Sequence, residues 1–371
     1  MESINHKHIV RATVISPLSV GQGGEKDWVE GIDYIRDEGI LYHLNLEMMV
    51  NAGIPIQELS ALYASGKIED LRTFLIGRLD DIYDFSMEMP VGTANPVKTF
   101  YFNPITGAYV LFGSSLKGAI RSAVFHELTR KEPTRGLLEK KSLLDKFVFG
   151  EMKDGTNFMR FFRIGDFDFD GTGLVNTKIY NLQKRDGEWL GGWKHQAQYT
   201  SDKFNANGFN TVYECLMPGA QAEGTIMISP LLYNLVSAPM SFKREKDALI
   251  KDSPIRKLFT IINEATLDYL VKEIAFFKEY PQAEYSDRIL SSLNKYLEMA
   301  SSFTESQGKE CLIKMSAGSG FHSITGDWQY DDFTETGFNQ RNGKKNYKSR
   351  KIACYKGMFE PMGFLRLSIQ Q

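Results

Sequence analysis

Phe112-Gly113-Ser114-Ser115-Leu116-Lys117-Gly118-Ala119-Ile120-Arg121-Ser122-Ala123 follows the β-like run Ala108 to Phe112 and leads into a helical pattern over Ile120 to Leu128. Two glycines, two serines, a lysine and an arginine therefore stand where a strand turns into a helix. The first amides of a helix have no partner within it and carry partial positive charge. Small residues let a phosphate approach them, and Lys117 and Arg121 add full charges one turn apart. The stretch reads as a phosphate-contacting element formed by Gly113, Ser114, Ser115, Lys117, Gly118 and Arg121. Its chemistry leaves open whose phosphate it contacts.

Outward from this stretch, strands precede and follow. His8 to Ile15 alternates like a strand and runs into the glycine-rich turn Ser16-Pro17-Leu18-Ser19-Val20-Gly21-Gln22-Gly23-Gly24. Strands fit Ile32 to Arg36 and Ile40 to Leu46, helical periodicity fits Ile56 to Ile82 with a break near Gly66, and a hairpin fits Thr99 to Phe112 around Asn103-Pro104-Ile105-Thr106-Gly107. A further helix is expected near Leu137 to Phe147, and strands over Phe161 to Phe169 and Leu174 to Leu182. The polar, glycine-containing span 183–208 reads as a long exposed loop, and Val212 to Leu216 is expected to pair with Ala222 to Ile228 across Pro218-Gly219. Helices dominate Phe242 to Phe303, and strands return at Leu312 to Met315 and Gly363 to Ile369.

Strands, a helix, more strands and a closing strand imply an α+β fold with helices on one face of a sheet, in the β-α-β-β-α-β manner. The expected division is a core over 1–232 with a helical insertion near 56–85, a mainly helical region over 233–307, and a β segment over 308–371 that completes the sheet or forms a second, smaller lobe. A chain of 371 residues exceeds the usual size of one core, which fits such a division.

Composition excludes several classes. A net charge of −2 is unlike a free-standing nucleic-acid binder, so any such contact is local. Arg341 to Lys351 reads RNGKKNYKSRK, and Lys344, Lys345, Lys348 and Arg350 in it form either a solvated loop or an arm along a phosphate backbone. No run is apolar enough to span a membrane, and the opening Met1 to His8 lacks a signal-peptide core. Cys215, Cys311 and Cys354 are odd in number and lack metal spacing, which points to a reduced, cytoplasmic setting with the thiols packed in cores.

No catalytic or cofactor set stands out. Val20-Gly21-Gln22-Gly23-Gly24 departs from the dinucleotide pattern because Lys26 holds the third glycine position. Asp166-Phe167-Asp168-Phe169-Asp170-Gly171 opens like a calcium loop, but Thr177 stands where a bidentate glutamate is needed. On a strand, these aspartates share one face and the phenylalanines pack on the other. The histidines form no triad or zinc motif. Asp33 is a lone carboxylate that gains interest only beside RNA, where it could assist in-line cleavage. Gly318, Ser319 and Gly320 form a third glycine segment after the strand at Leu312. With Gly21, Gly23 and Gly24, and with the Gly113 stretch, they would line a groove of backbone donors if one sheet edge gathered them.

These segments, in this order, resemble the RAMP proteins of CRISPR effector complexes. The resemblance is carried by Pro17-Leu18-Ser19-Val20-Gly21, Gly113 to Arg121, Phe149-Gly150, Arg163-Ile164-Gly165-Asp166 and Tyr213-Glu214-Cys215-Leu216-Met217-Pro218-Gly219. Ala317-Gly318-Ser319-Gly320 and Glu360-Pro361-Met362-Gly363 make the chain similar, within the superfamily, to the subunit-five family of the type III-A Csm complex. The resemblance implies an RNA-recognition-like (ferredoxin-like) core with helical insertions and a non-catalytic role without cofactor. It also implies capping of the 3′ end of the guide crRNA, crRNA maturation, and contacts with target RNA, the backbone RAMP subunit and the small helical subunit. Leu111-Phe112 departs from the isoleucine-proline pair usual before the Gly113 stretch, and the aromatic RNA-recognition signature is not visible. Two other functions remain open on the residues. One is a metal-dependent endoribonuclease of the backbone type cleaving target RNA with Asp33; the other is an unrelated enzyme that seats a nucleotide on the Gly113 stretch.

Overall fold

Strand β1 (His6–Val14) buries Val10, Ala12 and Val14 and turns Ile9 and Arg11 outward, the period-two pattern expected of its sequence. The computed structural model describes residues 5–22, 24–92, 96–130, 141–316, 338–339, 344–345 and 348–370.

After the first glycine turn, β2 (Tyr34–Asp37) and β3 (Ile40–Leu44) form a hairpin, followed by α1 (Leu46–Asn51), α2 (Ile56–Ser65), α3 (Ile68–Ile76) and β4 (Tyr83–Glu88). Gly66, at φ +66°, ends α2 where the periodicity breaks. β4 returns to pair with β3, so the expected helical insertion over 56–85 is two helices and the start of a strand, completing a three-stranded sheet. Leu59, Leu71 and Leu75 pack on Ile35 and Ile82 to give this unit its own small core.

β5 (Phe102–Asn103) and β6 (Ala108–Leu111) form the expected hairpin, and β6 also pairs with β8 (Phe167–Phe169). Between β6 and β8 lie α4 (Gly113–Arg130), α5 (Lys141–Phe149) and β7 (Phe162–Ile164). Then follow β9 (Gly173–Arg185), β10 (Glu188–Gln196), β11 (Tyr199–Ser201), β12 (Asn210–Cys215) and β13 (Gln221–Ile228). The helices α6 (Pro230–Val236), α7 (Lys243–Ile250), α8 (Pro254–Glu279) and α9 (Ser286–Glu305) come next. The remaining strands are β14 (Glu310–Lys314), β15 (Phe338–Asn339), β16 (Lys344–Lys345), β17 (Ser349–Tyr355), β18 (Met358–Pro361) and β19 (Phe364–Ile369).

Two larger sheets organise these elements. The first has the order β14-β19-β1-β13-β7, antiparallel throughout. Its strands β1, β7, β13 and β19, with α4 and α8 between them in the chain, follow one another as β-α-β-β-α-β. Leu116, Ile120 and Val124 of α4 and Leu258, Phe259 and Ile262 of α8 cover one face, against Val10, Ala12, Ile226 and Leu367. The second sheet has the order β11-β10-β9-β17-β18, with β12 also paired to β9. Tyr269, Leu270 and Phe277 of α8 and Leu293 of α9 pack there on Tyr180, Leu182 and Trp193. One long helix thus contributes its first half to one core and its second half to the other.

Three expectations need correction. The span 183–208 is not an exposed loop: Asp186 and Gly187, at φ +49° and +90°, make a two-residue turn between paired Arg185 and Glu188, and Trp193 is fully buried. Val212 to Leu216 and Ala222 to Ile228 do not pair with each other, since β12 joins β9 and β13 joins β1. The turn between them carries the chain from the second sheet to the first, with the Gly219 amide donating to the Val14 carbonyl at 2.9 Å. Arg350 does not belong to a free basic arm; it is buried in β17, donates to Glu273 of α8 at 2.8 Å, and lies 3.7 Å from the Phe276 ring centroid. All three cysteines are buried and free, as their spacing implied.

Candidate functional site

β1, β7 and β14 run parallel to one another, because each is separated from the next by one antiparallel strand. The chain therefore leaves all three on the same side of the sheet. The exits of β1 and β14 are joined: the Ser19 amide donates to Ser316 Oγ at 3.2 Å, and the Ser316 hydroxyl donates to the Ser19 carbonyl at 3.0 Å. Between them the Gly363 amide donates to the Pro17 carbonyl at 2.8 Å. Gly363 has φ +85°, and a Cβ there would overlap the Met315 carbonyl, so only glycine fits.

Gly21 is exposed just beyond this junction and bridges Phe100, whose carbonyl accepts from Nε2 of the Gln22 side chain. Gly24 opens a 3-10 turn, Gly24–Lys26. Gly23, Gly318, Ser319 and Gly320 lie outside the described residues; Ser316 is the last described residue before the third glycine segment.

The Gly113 stretch is helical from its first glycine, not from Ile120. Gly113 sits so close to the carbonyls of Ile164 and Gly165, at the exit of β7, that a side chain there would overlap both. Its amide donates to Asp166 Oδ1 at 2.7 Å, so this carboxylate caps the helix and answers part of its terminal charge. Asp168 and Asp170 are exposed while Phe167 and Phe169 are fully buried, the two-faced pattern read from the sequence. Ser114 and Gly118 are exposed, and Ser115 and Lys117 half-buried. Burial, and after it the positive charge of Arg163, hold Lys117 below the usual lysine value.

Arg121 is engaged inside the protein, paired with Asp145 of α5 and 4.3 Å from the Phe149 ring centroid. The structure therefore separates the two cations that sequence spacing grouped. Lys117 has no acidic partner among the described residues, whereas Arg121 ties α4 to α5. Lys348 is half-buried, and Lys344 and Lys345 form β16, which pairs with β15. Asp33 holds the turn before β2, its Oδ2 accepting from the Val29 amide at 2.7 Å. Among the described residues, no group of three or more His, Cys, Asp or Glu is placed to hold a metal ion, and no helix is long and apolar enough to cross a membrane. Arg163 and Asp166 were not among the residues expected to contact RNA. Both lie in the segment Arg163-Ile164-Gly165-Asp166, but their roles follow from the packing of α4 on β7, which spacing does not reveal.

Comparison with solved structures finds the same fold in CRISPR proteins. A chain of a type III-A Csm-crRNA-target RNA ternary complex, solved by cryo-EM, superposes with a TM-score of 0.67 at 16% identity, covering 98% of this chain and 100% of that one. The crystal structure of T. onnurineus Csm5 superposes with a TM-score of 0.61 at 17% identity, covering 96% of this chain and 99% of that one. No curated protein sequence matches the chain. The model of the RAMP superfamily matches residues 11–299, from within β1 to within α9, and the chain belongs to that superfamily.

Proposed function

We propose that this chain is a non-catalytic RNA-binding subunit of a type III-A CRISPR effector complex, and that it caps the 3′ end of the guide crRNA. In this reading it works in the cytoplasm, supports crRNA maturation and assembly, and meets target RNA, the backbone RAMP subunit and the small helical subunit. The observation that carries the reading is the common side on which β1, β7 and β14 end. There the exposed Gly21 follows β1, Ser316 follows β14, and the start of α4, with Ser114, Ser115 and Lys117, packs against the exit of β7. Backbone amides and short hydroxyl side chains at such a place contact phosphate and sugar, which suits a protein that must accept guides of any sequence. The fold shared with Csm5 and with a chain of the Csm-crRNA-target RNA complex supports the same reading.

Ultraviolet crosslinking of the tagged chain in its native cell, followed by sequencing of the attached RNA, tests it. Reads concentrated at guide 3′ ends are expected. Reads spread evenly through guide and target would assign the chain to the backbone instead, and absence of RNA would overturn the proposal.

A further inference from the structure

We infer that Lys117, Arg163 and Lys7 form one phosphate-binding track, which leaves the start of α4, rounds the free edge of β7 and continues onto the open face of the first sheet. The inference rests on the RNA-binding reading and extends it to two residues outside every glycine segment.

β7 ends the strand order of its sheet, so its outer edge carries no further described strand. Gly113 lies against this edge at Ile164 and Gly165. Lys117, four residues later, falls on the same face of α4. Phe162 is buried in the core beneath α4 and Ile164 packs against it, so the intervening Arg163 projects to the opposite face of the sheet. Arg163 is level with Met227, and Met227 is level with Lys7. Two strand spacings place the Arg163 and Lys7 backbones about 10 Å apart.

None of the three cations has a hydrogen bond or an ion pair to an acidic group among the described residues. Other cations nearby do: Arg11, further along the same face, pairs with Glu223 at 3.0 Å, and Arg121 pairs with Asp145. Asp166, the acidic residue nearest Arg163 in sequence, turns its carboxylate to the Gly113 amide instead. Lys117 registers, after its own burial, repulsion from Arg163 as a lowered proton affinity. A polyanion relieves this repulsion. The half-buried Met227 lies between Arg163 and Lys7, and Ile9, 49% exposed, adjoins Lys7 on the same face of β1; the two form an apolar floor for ribose or base. Charges spread over two faces with apolar surface between them suit a single-stranded RNA, whose phosphates and bases alternate in the same way.

The test uses the full chain and a 3′-fluorescein-labelled single-stranded RNA of mixed sequence, with anisotropy titrations over a series of salt concentrations. Each phosphate contact on a single strand contributes about 0.7 to the slope of log K against log salt. Lys7→Ala with Arg163→Ala is expected to lower the slope by about 1.4, and Lys117→Ala by about 0.7. Lys184→Ala, exposed on β9, is expected to leave the slope unchanged. If the double variant keeps the native slope while Lys117→Ala lowers it, the track is wrong and the RNA-binding reading stands. If the native chain shows no saturable binding at any salt concentration, both fall. All positions substituted on β1 and β7 are exposed, and circular dichroism of each variant separates lost contacts from lost fold.

Discussion

Gly113 and Arg121 bracket the stretch on which the fold turns, and packing rather than ligand chemistry constrains both. Gly113→Ala forces a side chain into the carbonyls of Ile164 and Gly165, and is expected to cost about 1–3 kcal/mol, read from urea midpoints. Asp166→Ala removes the helix cap and is expected to cost about 0.5–2 kcal/mol by the same measurement. Arg121→Ala frees Asp145 and the Phe149 ring, so its first effect is a looser α5, seen as faster amide exchange over Lys141–Phe149. Ser114→Ala, at an exposed position, is expected to leave stability within about 0.5 kcal/mol of native. Sequence exposed the alternation of Asp168 with Phe167 and Phe169, because that pattern is local. It could not expose the partners of Arg121 or Arg350, which stand 24 and 77 residues away in the chain and meet only once helices dock.

Among elements, most of β9 was legible over Leu174 to Leu182, but its continuation into the hairpin with β10 was hidden by the polarity of 183–208. Tyr180, Leu182 and Trp193 lie beneath α8 and α9, polar residues such as Lys178 and Asn181 are buried in β9 as well, and the turn is Asp-Gly, a sequence that favours two successive positive φ angles. Weighting that dipeptide above composition recovers the strand pair. Trp193→Ala removes a fully buried ring whose Nε1 donates to the Glu284 carbonyl at 2.8 Å, and is expected to cost about 3–5 kcal/mol in denaturant unfolding. The helices were legible because long amphipathic periods need no partner to be recognised. The pairing of β12 with β9 was not, since nothing local tells a strand which sheet it will join.

The contact of β18 with α9 carries a pH dependence. Glu360 is buried beneath the hydroxyls of Tyr296 and Tyr355, which both donate to it, and burial pushes its carboxyl up to about 8. The folded state therefore holds a proton that the unfolded chain releases near 4.5. The stability contribution of this group is full below pH 4.5 and is lost as pH rises toward about 8. Urea unfolding of Glu360→Gln is expected to lack this decline, so the native protein should lose stability relative to the variant between pH 5 and pH 8. A constant difference across that range would show that Glu360 is charged when folded.

At the scale of the whole molecule, the two larger sheets share α8, and the buried pair of Arg350 with Glu273 pins β17 to that helix. The division expected at 232 and 308 does not coincide with the sheets: β14 and β19 complete the first, while β17 and β18 belong to the second. β1 lies between β13 and β19. Ending the chain after Met362 is expected to strip β1 of one neighbour and abolish cooperative unfolding of the first sheet, measured by circular dichroism and limited proteolysis. A truncated chain that still unfolds in one sharp transition would show that β19 is dispensable.

The Ser19–Ser316 junction has a consequence for the order of events during translation. Its two serines are separated by 297 positions, and Gly363, which holds the same corner, is made later still. A nascent chain that has already emerged with its first glycine turn must leave that turn unbraced until nearly fifty further residues beyond Ser316 have been added. The corner is thus set only when synthesis has passed Gly363, and a ribosome stalled before that point presents a first strand without its final neighbour and a glycine turn without its latch.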